Sequence, residues 1–269
     1  MPNWMKRASH NRVPALFLSA FSLALSISVF AAVQDPLKRA AGLMKEVQQY
    51  HREGRYRDAI PKARDALALR EQALGPDHPE VATSLNSLAE LLRLTGDYGG
   101  ARPLYERALK IREQVLGPNH RDVTTSLNNL ALVLQAIGDY AGARTLFERA
   151  LKTREQTLGP NHSWVALSLN NLARLLLIIG DYAAAKPLYE RALKIREQTL
   201  GPNHPAVAAS LTGLGELLRL TGDYAGARSL HERALTIREQ TLGPNHPDVT
   251  TSLNNLALVL EAAADYAPA

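Results

Sequence analysis

The 269-residue sequence contains no cysteine. That absence excludes disulfides, thiolate metal sites, cysteine nucleophiles and a lipid-modified amino-terminal cysteine. A strong excess of one charge is also missing from the body of the chain. The formal charge is +5, but three cations, Lys6, Arg7 and Arg12, lie in an amino-terminal tail with no acidic residue, so the chain without residues 1–31 carries +2. A nearly neutral body offers little counterion release to DNA or RNA, and no nucleic-acid partner is expected. With 46% apolar and 21% charged residues the chain can build a packed core.

Charge is absent altogether between Val13 and Gln34. The basic tail, this apolar stretch and the small-residue exit Val29-Phe30-Ala31 predict a secretory signal cleaved after Ala31. An uncleaved membrane anchor over residues 13–34 is the alternative. The mature chain is expected to be exported, periplasmic or secreted.

What dominates the remainder is self-similarity. Leu-Gly-Pro recurs with its glycine at Gly75, Gly117, Gly159, Gly201 and Gly243, always 42 residues apart, and Gly-Asp-Tyr recurs with Asp97, Asp139, Asp181 and Asp223. Each period holds two helical stripes. Val123, Leu127, Leu130, Ala131 and Leu134 form one, and Ala143, Leu146, Phe147, Ala150 and Leu151 the other. Asp139 suits an N-cap and Gly138 the residue just past a helix end. Pro79, Pro205 and Pro247 suit a first helical turn, where a missing N–H costs nothing. Pro103 and Pro187 fall inside the second helix and are expected to cost a hydrogen bond there. Glu106–Lys110, Glu148–Lys152 and Glu190–Lys194 are spaced for i,i+4 ion pairs.

The blocks Leu127-Asn128-Asn129-Leu130-Ala131, Gly138-Asp139-Tyr140, Phe147-Glu148-Arg149-Ala150-Leu151 and Leu158-Gly159-Pro160-Asn161-His162 resemble the tetratricopeptide repeat (TPR). The variety they resemble is the longer one of kinesin light chains. The resemblance implies an all-α, right-handed solenoid of stacked antiparallel helix pairs. The organisation expected is a signal at 1–31, a degenerate capping repeat at 32–78, four regular units at 79–246 and an incomplete repeat at 247–269. Glu46, Val47 and Ala63 replace Leu, Ala and an aromatic in the first repeat.

Catalytic signatures are incomplete in this sequence. His231-Glu232 begins a zinc-protease motif, but Leu235 stands where the second histidine belongs. Gly213-Leu214-Gly215 lies in a helical stripe with no strand before it, unlike a dinucleotide loop. His78, His120, His162, His204 and His246 recur singly, one per turn, as turn residues rather than metal ligands. No enzyme, cofactor or metal is expected.

Two adjacent first-helix positions carry Asn86, Asn128, Asn129, Asn170, Asn171, Asn254 and Asn255. Asparagine is a poor interior helix residue, so its recurrence calls for a role. One reading is bonding between repeats or a solvated face; the other is a ladder of amides for a peptide main chain. The TPR resemblance implies the second, because first helices line the family's binding groove. Around the ladder, Arg93, Leu132, Arg174, Leu177 and Arg219 vary between repeats, with Leu167 and Ile178 completing an apolar centre. The function expected is non-catalytic binding of a protein or extended peptide. A recognition portion of a larger effector, such as a TPR protein with a caspase-like protease domain, and a self-assembling array are the alternatives. An apolar strip is expected on the last first-helix, favouring self-association.

Overall fold

The computed structural model describes residues 35–265, and every regular element within them is an α-helix. The signal expectation for residues 1–31, and most of the anchor alternative, lie outside the described residues. Helix α1 spans 35–52. It is followed by α2 (Tyr56–Leu74), α3 (Pro79–Leu94), α4 (Tyr98–Leu116), α5 (Arg121–Ala136) and α6 (Tyr140–Leu158). Then come α7 (Ser163–Ile178), α8 (Tyr182–Leu200), α9 (Pro205–Leu220), α10 (Tyr224–Leu242) and α11 (Pro247–Asp265). From α3 to α10 the helices alternate between 16 and 19 residues, one pair per 42-residue period. The chain divides into two compact units, with the boundary between Ser84 and Leu85 inside α3.

The helix ends are written locally. Asp97, Asp139 and Asp223 accept a hydrogen bond from the backbone N–H of Gly100, Gly142 and Gly226 at 2.9 Å. Asp181 does so from Ala184 at 3.2 Å. A Cβ at Gly142 would stand 2.7 Å from the cap carboxylate, which accounts for the longer bond where alanine occupies that position. Gly138 ends the first helix at φ 84°, a left-handed conformation that side chains resist. Pro79, Pro205 and Pro247 open their helices, and α4 and α8 run on through Pro103 and Pro187.

One charge expectation is corrected. Glu106 and Glu148 pair with Arg102 and Arg144 four residues before them, both at 2.7 Å, and not with the lysines four residues after. The planar guanidinium fork matches a carboxylate better than an ammonium does.

In the first unit, Ala59, Ala63 and Ala66 of α2 are fully buried and Lys62 reaches Glu46 of α1 at 2.9 Å. In the second, each helix from α4 to α11 packs on its neighbours in sequence. Val165, Ala166 and Leu169 of α7 meet Ala192 and Ile195 of α8; one period later Val207, Ala208 and Leu211 meet Ala234 and Ile237. Ala131, Ala143 and Ala150 are wholly buried, as are Tyr105 and Phe147. Small residues let helices approach, and the rings fill what remains.

Helix α11 differs. Val249, Ser252 and Val259 are buried, while Leu253, Leu258 and Leu260 are 49%, 48% and 44% exposed. Among the described residues no second helix follows to cover that face.

Candidate peptide-binding site

The first helices carry the asparagines in register, and the structure ties them to one another. The side-chain amide of Asn171 donates to Oδ1 of Asn128 at 2.7 Å, and that of Asn129 donates to Asn86 at 3.4 Å. Each bond joins the first amide of one repeat to the second amide of the next. Asn128 is buried; Asn86, Asn129, Asn170 and Asn171 are half-buried. The row stops at α9, where Thr212 bonds its own helix at Ala208 and Gly213 stands in the second position. There Asn170 accepts from Ser210 at 3.4 Å. A Cβ at Gly213 would come within 2.4 Å of the Tyr189 ring, so the ring takes the room an asparagine would need. On α11, Asn254 is exposed and Asn255 half-buried. The amides of α3, α5 and α7 are therefore brought together, and those of α11 stand apart from the row.

The surrounding arginines are not equivalent. Glu90 grips Arg93 through two bonds, at 2.6 and 2.9 Å, and also accepts from the Tyr105 hydroxyl at 2.7 Å. The bond to Glu90 holds the Arg93 pKa above its ordinary value, and burial beside the same carboxylate raises that of Tyr105. Arg219 is gripped likewise by Glu216, at 2.7 and 2.9 Å. Arg174 is exposed on α7 and has no ion pair among the described residues. Beneath that region the Tyr189 hydroxyl is pushed up to about 12 by burial. Leu132, Leu167 and Leu177 are half-buried and Ile178 is 44% exposed, which leaves apolar surface among the polar groups.

The five recurring histidines are caps. Nδ1 of His120, His162 and His204 accepts from the backbone N–H two residues on, at 3.2, 3.1 and 3.1 Å, and His78 and His246 do the same.

Sequence reasoning missed a second periodic pair. Arg112, Arg154 and Arg196 near the ends of α4, α6 and α8 are almost fully buried, and each donates to a serine fourteen residues later: Ser126, Ser168 and Ser210, at 2.7, 2.7 and 2.8 Å. Arg70 does the same to Ser84 at 2.7 Å, and Arg238 bonds Ser252. These bonds fasten the second helix of one repeat to the first helix of the next. The signal was available as an Arg-Glu-Gln block recurring at the repeat period, but nothing in a charged triplet marks its arginine as buried.

The sequence profile of the tetratricopeptide repeat matches residues 40–114, 85–156, 122–198, 179–240 and 213–269. No curated protein sequence matches the chain. Among solved structures, a kinesin light chain-type protein from Podosopora anserina with nearly identical TPR-like repeats is similar. It is 26% identical with a TM-score of 0.64, over 77% of this chain and 98% of that one. BtubC (BKLC) from P. vanneervenii is 27% identical with a TM-score of 0.61, over 86% of this chain and 85% of its own. A Rap protein complexed with Competence and Sporulation Factor shares the fold at 18% identity and a TM-score of 0.65, over 85% of this chain and 66% of that one.

Proposed function

We propose for this chain, which belongs to the tetratricopeptide repeat family, that its first-helix face holds an extended peptide of a partner protein by main-chain hydrogen bonds. The family is generally one of non-catalytic interaction scaffolds, and the chain is read as such a scaffold. The observation that carries the finer reading is the row of amides aligned across α3, α5 and α7. Each inter-repeat bond uses one donor and one acceptor of an amide pair, and an amide pair has more of both. The donors and acceptors left over recur once per repeat along the row. Leu132, Leu177 and Ile178 supply apolar anchorage beside them. Arg174 supplies a cation that no carboxylate among the described residues neutralises, whereas Arg93 and Arg219 are already engaged.

A phage-displayed peptide library selected on the purified chain tests this reading. Peptides recovered from it are expected to lose affinity for the Asn170→Ala, Asn171→Ala double variant. Two lost hydrogen bonds at roughly 0.5–1.5 kcal/mol each give a loss of about fivefold to 150-fold. Unchanged affinity in a variant of unchanged helicity rejects the amide ladder.

We further infer that the chain is exported by residues 1–31, on the strength of their basic, apolar and small-residue order. Among the described residues, no helix is long and apolar enough to cross a membrane.

A further inference from the structure

The buried arginines differ in what neutralises them. Arg70 lies 3.4 Å from Glu80, and Arg112 and Arg238 feel the charges of Asp122 and Asp248. Each of those acids is the second residue of the following first helix, where it also complements the positive end of the helix. On α7 that register position is Trp164. Arg154 is only 2% exposed and has no carboxylate partner among the described residues. One of its terminal nitrogens donates to Ser168 at 2.7 Å and to the Trp164 carbonyl at 3.3 Å, but its buried Nε has no partner among the described residues. Burial alone draws its pKa down to about 10. A desolvated cation at the positive end of a helix, with an N–H left over, is a costly arrangement unless an anion arrives.

There is room for one. A cavity of about 170 Å³ opens at the α6–α7 turn, lined by Arg121, Thr124, Arg154, Leu158, His162 and Trp164. The Trp164 ring, 41% exposed, lies 5.1 Å from the Arg154 guanidinium carbon and 5.9 Å from that of Arg121. Arg121 is held only loosely, 3.9 Å from Asp122, and Asp122 also faces His120 at 3.8 Å. Two guanidinium groups, an aromatic wall and the apolar edge of Leu158 suit a carboxylate on a short methylene stem.

We propose that this cavity binds a glutamate or aspartate carboxylate of a partner protein's acidic segment, supplying from outside the anion that Asp122 and Asp248 supply from within. The site is separate from the asparagine row: Arg121 and Asn128 are seven residues apart, about 10 Å along α5. It therefore stands whether or not that row holds a peptide. Arg196 provides an internal comparison, since Ala206 likewise replaces the acid there but brings no aromatic wall.

Titration calorimetry of the full chain tests the proposal, with a glutamate-rich hexapeptide as probe against its glutamine counterpart, free glutamate and inorganic phosphate. The glutamate peptide is expected to bind at least tenfold more tightly than each of the other three. Trp164→Asp restores the acid of the neighbouring repeats. It is expected to preserve helicity and to leave the melting temperature equal or higher while weakening the peptide at least tenfold. Arg121→Ala, a change at an exposed side chain, is expected to weaken it severalfold, and Asn170→Ala with Asn171→Ala to leave it unchanged. Equal binding by wild type and Trp164→Asp overturns the proposal. So does phosphate or free glutamate binding as well as the peptide, which would make the cavity a site for an adventitious ion only.

Discussion

Residues 122–134 and 248–260 have the same sequence, Asp-Val-Thr-Thr-Ser-Leu-Asn-Asn-Leu-Ala-Leu-Val-Leu. Leu127 and Leu253 are therefore identical in their local context, yet Leu127 is 0% and Leu253 49% exposed. Truncating each to alanine isolates the tertiary contribution. At Leu127 the change removes buried methyl groups and leaves a void among packed helices, so the cost falls in the range of about 3–4 kcal/mol. At Leu253 about half the side chain is already in water and a void would open to solvent. Only part of the roughly 1.5–3 kcal/mol of full burial is at stake there, about 1 kcal/mol. The helix-propensity change from leucine to alanine is small and common to both sites, so it cancels in the comparison. Guanidinium unfolding followed by far-ultraviolet circular dichroism gives the two costs. Amide exchange in α11 reports whether any loss at Leu253 is local fraying of that helix. Two variants equal within about 0.5 kcal/mol, or a larger loss at Leu253, would refute the assignment of the covered face.

Two further outcomes are expected. His231 is 1% exposed with both ring nitrogens unpartnered among the described residues, and burial drives its pKa below the ordinary 6.5, against an opposing influence from Glu216 and reinforcing ones from Arg219 and Arg238. As pH falls through 6.5 the unfolded chain takes up the proton first, so this site's contribution to stability declines until pH passes its lower folded value. His231→Phe, copying Phe147 of an earlier repeat, should flatten the fall in denaturation midpoint between about pH 7.5 and 5.5; an unchanged slope would assign the effect elsewhere. For export, intact-mass measurement of the chain recovered outside the cytoplasm should place its start at Ala32. Recovery of a membrane-resident chain starting at Met1 would favour the anchor.

The sequence was legible wherever the cause was local. A period without insertions, an Asp cap three residues before a glycine and a proline at a first turn each act through their own few residues. The helix pairs and their turns could therefore be read directly. The asparagine row was half legible: its recurrence stood out, but the bond from Asn171 to Asn128 at 2.7 Å joins residues 43 apart and needs two helices side by side. The interruption at Gly213 was visible, though its reason, the Tyr189 ring in the vacated space, was not. The Arg–Ser fastenings escaped notice because arginine in a charged block is ordinarily a solvated residue.

The sequence by itself determined the repeat, the caps and turns that punctuate its helices and the stripe each helix would bury, because periodicity and capping are properties of neighbouring residues. Tertiary structure decided which copies of that stripe are covered and which charges lose their water. The repeated thirteen residues show it most directly: Asn128 is buried and bonded across repeats, while Asn254, in the same local sequence, is exposed on α11. Arg112 and Arg154 are buried alike, but one has an aspartate in reach and the other a tryptophan. Burial belongs to whatever packs against a residue, and the residue's own neighbours in the chain do not specify it.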